Sequence, residues 1–302
     1  MSRPANALFP GFKDRRVQTA DVDFAVLTSG SGPAILLLHG YPETRSAWHR
    51  IAPVLAASYS VVVPDLPGYG DSRVTGTLMD MGSKRQMAKS LHEMMRALGH
   101  DRFVVVGHDR GGRVAYRLAL DFEEEVRALV SVTVVPTPEM WEGAGKAFGL
   151  GAWHWFMLAQ PAPLPETLMA ADPRFLIDLT LGKMAGDIRL IDPVALEDYR
   201  MAFGSAEVRH AMCEDYRAGA SVDEADDLAD RNSGRKIQAP VLVLSEQGRL
   251  YGGGRTPLDI WADWAVSVEG EGLPGGHLLP ETSADQMIER LLAFLGKITD
   301  AR

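Results

Sequence analysis

Five short and almost unbroken apolar runs constrain the fold of this chain more than any other feature. They occupy Ala34–Leu38 and residues 60–63, 103–106, 128–135 and 240–244. Runs of four to eight apolar residues with no polar alternation suit strands covered on both faces, as in a parallel sheet. Longer stretches with helical spacing lie between them at 46–57, 83–98 and 112–120, and another closes the chain at 284–295. The alternation predicts a doubly wound α/β sheet. It breaks off from 136 to 230, a segment rich in Trp, Met, Pro and Ala with helical patterning and no strand. The expected organisation is therefore a core made from 1–135 and 231–302, interrupted by a helical cap at 136–230. Sites in such sheets lie outside the carboxyl ends of the strands, where a cap would close over them. The Gly252-Gly253-Gly254 run lacks a strand-to-helix context and reads as a loop, not a phosphate cradle.

Composition excludes several classes. The 302 residues are 46% hydrophobic and 24% charged, with a formal net charge of −9, which disfavours a nucleic-acid partner. Any anionic ligand would need a local arginine cluster working against that field. The single cysteine, Cys213, cannot form an intramolecular disulfide and fits a reducing compartment. Met1-Ser2-Arg3-Pro4-Ala5-Asn6 has no apolar targeting stretch, and no run approaches the ~20 residues that span a bilayer. A soluble cytoplasmic enzyme without a membrane partner is expected.

Chemistry concentrates at Gly107-His108-Asp109-Arg110-Gly111, between the apolar run at 103–106 and a helical stretch. This is the strand–elbow–helix context of G-x-S-x-G nucleophiles, with Asp109 in place of serine. A serine needs a base to attack, whereas a carboxylate is already ionised at neutral pH. Attack on an acyl carbon would yield a mixed anhydride. Attack on a saturated carbon yields an ester that water can cleave, so the expected electrophile is an alkyl halide or an epoxide. The second step needs a base for water, and His277 in Gly275-Gly276-His277 follows the nucleophile in the required chain order. His39 and His108 read as residues that hold the neighbouring loops. The backbone N–H groups of Tyr41 and Arg110 are the expected oxyanion hole. Arg110 and Arg113, three apart at a helix start, share a face, and their planar forks suit a carboxylate.

Three motifs, His39-Gly40-Tyr41-Pro42-Glu43-Thr44, the Asp65-Leu66-Pro67-Gly68-Tyr69-Gly70-Asp71-Ser72 run and the 107–111 elbow, resemble the α/β-hydrolases with Asp nucleophiles. That group includes haloalkane dehalogenases and epoxide hydrolases. Phe9-Pro10-Gly11-Phe12, His154-Trp155 with residues 158–166, and residues 212–220 resemble the fluoroacetate dehalogenases specifically. The resemblance implies an α/β-hydrolase fold and a cofactor-free, metal-free hydrolysis of small 2-haloacids. It assigns Asp109 as nucleophile, Arg110 and Arg113 as the grip on the substrate carboxylate, and His154, Trp155 and Tyr216 as the halide pocket. It also implies a homodimer.

The sequence departs from the family at the third triad member. The family's acid position falls on Thr133, which carries no charge. Glu246, after the run at 240–244, is the candidate partner for His277, with Arg249 standing where an Asp often sits in other α/β-hydrolases. Two other readings stay open: an epoxide hydrolase sharing Asp109 and His277, and a weakly active homologue that binds a small carboxylate.

Overall fold

A computed structural model describes residues 7–77 and 81–300; the segment 1–6, read above for targeting signals, lies outside them. Nine strands form one sheet: β1 Lys13–Gln18, β2 Val22–Ser29, β3 Ala34–Leu38, β4 Ser60–Pro64, β5 Arg73–Val74, β6 Phe103–His108, β7 Val126–Val132, β8 Val241–Glu246 and β9 Val268–Leu273. Their order is β1-β2-β4-β3-β6-β7-β8-β9, with β5 on β2. From β4 through β9 the pairing is parallel, and β2 joins β1, β4 and β5 antiparallel. The apolar runs form the middle of the sheet, and every residue of β3 and β6 is buried. The β1, β2 and β9 strands escape the apolar-run criterion because they alternate or are charged, as in the exposed Lys13-Asp14-Arg15-Arg16 of β1.

After β3 the chain pairs β4 on one side, then crosses to place β6 on the other. That reversal opens a crevice at the carboxyl ends of β3 and β6, where ligands bind in open α/β sheets. His39 ties the loops at this edge. Its Nδ1 donates to the Gly40 carbonyl at 3.0 Å and its Nε2 accepts the Leu66 N–H at 3.0 Å. Asp65 fixes the loop after β4, accepting from the Arg45 and Asp71 N–H groups at 2.8 Å each.

Two expected elements differ. The helix read at 46–57 is a 3-10 turn, Arg45–Trp48, followed by a four-residue helix, Ala52–Leu55, because Pro53 has no N–H to extend the earlier turn. The run at 128–135 becomes β7 only to Val132, since Thr133 adopts a left-handed φ of 57° and turns the chain out of the sheet. The glycine run folds into a 3-10 turn, Gly252–Gly254.

Between β7 and β8 lie helices from Thr137–Glu142 to Val222–Asn232. Buried polar contacts fasten them to the core. Asp198 accepts from Thr44 Oγ1 at 2.5 Å and Ser46 Oγ at 2.7 Å, and Asp227 accepts from Tyr116. Among the described residues no helix is long and apolar enough to cross a membrane.

Tyr199 of this helical segment donates to Glu281 of the core, a buried carboxyl pushed up to about 8, chiefly by burial. The folded state therefore binds a proton that the unfolded chain releases near its ordinary value. This contribution is complete below the unfolded pKa and is lost as pH rises toward 8. Thermal melts should show Tm falling between about pH 5 and 8, and Glu281→Gln should flatten that slope. An unchanged slope in the variant would exclude Glu281 as its source.

Candidate active site

Asp109 is the first residue of the Asp109–Asp121 helix, directly after β6, and holds a φ of 48°. The left-handed turn survives because the glycines around it allow close backbone approach. A Cβ on Gly111 would lie 2.3 Å from the His39 carbonyl oxygen, and one on Gly40 would lie 2.4 Å from Asp109 Cβ. Residues in such strained conformations cluster at functional sites. The Tyr41 backbone N–H donates to Asp109 Oδ1 at 2.8 Å. Arg110, next on the helix, leaves its own N–H among the first-turn donors that no helical carbonyl satisfies.

His277 lies with Nε2 3.2 Å from Asp109 Oδ2 and Nδ1 3.3 Å from Glu246 Oε1. Its backbone is fixed from two sides: its N–H donates to the Met184 carbonyl at 2.9 Å, and its carbonyl accepts from His108 Nε2 at 2.8 Å. His108 in turn meets Glu43 Oε2 at 2.9 Å. Thr133 faces the same cavity, but its Oγ1 is buried without a partner. Glu246, at the end of β8, is thus the carboxylate the fold brings to His277, and it also pairs with Arg249 at 3.5 Å.

Electrostatics at this trio are strongly coupled. Burial opposes a charged Asp109, yet the His277 hydrogen bond and the charges of His277, His108 and Arg110 hold its carboxyl far below the usual range. Burial likewise opposes a charged His277, but its bonds to Asp109 and Glu246 push it up to about 10. The resting site therefore holds an imidazolium between two carboxylates.

Both arginines are buried. Arg110 gives Nε to Asp215 Oδ1 at 3.0 Å and Nη2 to the Asp215 carbonyl at 2.8 Å, and its guanidinium lies 4.3 Å from the Tyr216 ring. Arg113 gives Nη1 to Thr137 Oγ1 at 2.9 Å and lies 4.8 Å from the Trp155 ring. Arg110 Nη1, Arg113 Nε and Tyr216 Oη are buried with no protein partner. Orphaned buried polar atoms are rare, and three in one place point to a polar ligand.

His154, Trp155 and Tyr216 come together from two helices, His154–Leu158 and Ala206–Gly219. The Tyr216 ring is edge-on to His154 and Trp155 at 5.8 Å each, and Tyr41 stacks on His154 at 5.6 Å. Burial holds His154 down at about 4, so its ring is neutral at pH 7 and has one N–H to donate. A cavity of about 600 Å³ is lined by Asp109, Arg113, Thr133, His154, Trp155, Glu246 and His277, among others. Arg110 and Tyr216, 0% and 1% exposed, pack against the lining residue Trp155, at 5.7 Å from its ring for the Arg110 guanidinium and 5.8 Å between rings for Tyr216. Among the described residues no cluster of three or more His, Cys, Asp or Glu could hold a metal ion.

The sequence reading missed the acid beneath Arg110. Asp215 stands beside Tyr216 within the family-like stretch 212–220, and a buried arginine calls for a buried carboxylate. Nothing in the pattern chose Asp215 over Glu214.

Residues 33–250 match the alpha/beta hydrolase fold family, and the chain belongs to it. Within that class it is 39% identical to the fluoroacetate dehalogenase of a Burkholderia species, over 98% of this chain and 96% of the relative. A soluble epoxide hydrolase of Corynebacterium sp. (strain C12) is 30% identical over 90% of this chain and 93% of its own length. The solved structure of a Pseudomonas aeruginosa protein named as a "putative epoxide hydrolase" superposes with a TM-score of 0.93. It shares 50% identity and covers 97% of this chain and 98% of its own.

The seat of Asp109 leaves no room for a methyl group at residue 40. Gly40→Ala should shift the carboxylate and lower hydrolytic turnover about 100-fold, with circular dichroism unchanged. Wild-type turnover in that variant would show that the seat tolerates displacement.

Proposed function

We propose that this chain is a hydrolytic dehalogenase of small 2-haloacids, converting fluoroacetate or chloroacetate to glycolate. One observation carries the reading: the ionised Asp109 lies beside two buried arginines that hold unpartnered N–H donors. A carboxylate bound there would present its C2 carbon to Asp109. The likeness to the Burkholderia fluoroacetate dehalogenase over nearly the whole chain supports the same substrate class.

The cycle follows from the charges. Asp109 Oδ attacks C2, a carbon–oxygen bond forms, and halide leaves with the bonding pair. The N–H donors of His154 and Trp155 and the Tyr216 hydroxyl receive it. Donors that strengthen as charge develops lower the barrier, which matters most for fluoride, a poor leaving group. Esterification removes the Asp109 charge and with it the main support of the His277 imidazolium. His277 then loses its proton and can take one from water, with Glu246 steadying the ring. The resulting hydroxide attacks the ester carbonyl carbon of Asp109. The Tyr41 and Arg110 N–H groups stabilise the tetrahedral oxyanion, each worth of order 10²–10³ in rate. Collapse expels glycolate and restores the Asp109 carboxylate, now carrying one oxygen from water. Neither a cofactor nor a metal enters this scheme.

Epoxide hydrolysis is the second reading, favoured by the free Tyr216 Oη and by the Corynebacterium relative. Two buried arginines have no task on a neutral epoxide. A weakly active homologue that binds a small carboxylate loses support from the Glu246 contact to His277. A cytoplasmic homodimer fits the family likeness, and apolar side chains such as Leu164, Leu168 and Phe175 stand exposed on the helical segment.

Asp109→Asn should abolish halide release from chloroacetate. His277→Gln should release one halide per site and then stop, with a carboxymethyl ester on Asp109 detectable by mass spectrometry. Diol from an aryl epoxide with no halide release would establish the second reading instead. Glu246→Gln should slow turnover well below its burst of halide release, and a wild-type steady state would remove Glu246 from the triad.

A further inference from the structure

The charges behind the arginines are distributed unevenly. Arg110 commits Nε and Nη2 to Asp215, and the face of the Tyr216 ring packs against its guanidinium. A Cβ on Gly219 would lie 2.9 Å from Nη2, so the chain is close on that side as well. Asp215 is fully buried. Its Oδ1 also takes Lys84 Nζ, its Oδ2 takes the Tyr69 hydroxyl at 2.6 Å, and Lys84 continues to Asp223 Oδ2 at 3.2 Å. Two cations and two carboxylates thus close a neutral group around Arg110. Arg113 is held differently. Among the described residues it forms no ion pair within 4.0 Å; it donates to the Thr137 hydroxyl, and the buried Asp227, which accepts from Tyr116, acts on it only through space.

We propose that Asp215, braced by Lys84 and Tyr69, is a positioning residue that neutralises and locks Arg110. Only Arg110 Nη1 then meets the substrate carboxylate, and Arg113, which forms no ion pair, supplies most of the attraction. Attraction and alignment are assigned to different arginines. This inference rests on the carboxylate-binding reading given above.

The arrangement makes an unusual prediction, because loss of Asp215 frees a charge as it removes an anchor. In Asp215→Asn the local group carries one more positive charge, so a small carboxylate should bind more tightly while its alignment with Asp109 is lost. Acetate, which cannot react, serves as the probe in calorimetry, and its stoichiometry counts folded sites. Acetate should bind at least about threefold tighter, and kcat for chloroacetate per acetate-binding site should fall about tenfold or more. Adding Lys84→Met restores neutrality. Acetate affinity should then return to the wild-type value while kcat stays low. A purely structural role would reduce the number of sites and leave affinity and kcat per site unchanged.

Tyr69→Phe removes one brace and no charge, and keeps the test alive should Asp215→Asn fail to fold. It should lower kcat per site at unchanged acetate affinity. Wild-type kcat per site in the variants that fold, or unchanged or weaker acetate binding in Asp215→Asn, would overturn the inference. Wild-type protein that binds acetate but releases no halide would instead sink the dehalogenase reading, leaving the acetate measurements to judge Asp215.

Discussion

Everything at this site depends on keeping ionised groups charged where water is scarce. Isolated burial of a guanidinium or a carboxylate is prohibitively costly, so each charge must have a partner or change its protonation state. The fold meets that demand with parallel strands that deliver Gly40, Asp109 and Glu246 to one edge. A helical segment then supplies the counter-charges from above. Asp215, Asp198 and Asp227 all reach from that segment into the core. Of these, Asp215 both seats its helix on the core and holds the charge of a site residue, Arg110.

The central imidazole shows why pairing matters for timing. Held between Asp109 and Glu246, His277 is protonated in the resting site and cannot act as a base. In the proposed cycle the covalent step itself removes one of the two supporting charges. The base becomes available only once there is an ester to cleave. No loop movement is needed for this ordering, because the change of charge on Asp109 provides it.

Much of this was legible in the sequence, for physical reasons that can be named. The apolar runs at 34–38, 60–63 and 103–106 fall on β3, β4 and β6 because doubly buried strands tolerate no polar alternation. The elbow was readable because glycines at 107 and 111 leave few alternatives for a residue between strand and helix. The charged edge strand β1 carries no such signature, nor does β9, whose Glu and Gly residues alternate. Glu246 could be suggested from its place after a strand, but its approach to His277 depends on how β8 lies beside β7. Asp215 was unreadable for a related reason: its partners Lys84, Tyr69 and Arg110 are more than a hundred residues away in the chain.

The turn at Thr133 bears on how such sites can diversify. Its backbone N–H donates to the Leu244 carbonyl at 2.8 Å, so the ends of β7 and β8 are bonded neighbours. Thr133 and Glu246, one at each strand end, line the same cavity as His277. Under the proposed cycle the two strand ends offer neighbouring positions for the acid, whereas Asp109 has its single seat, fixed by the glycines of the elbow and by Gly40. Moving the acid of that cycle from one strand end to the other would therefore leave the seats of Asp109 and His277 undisturbed.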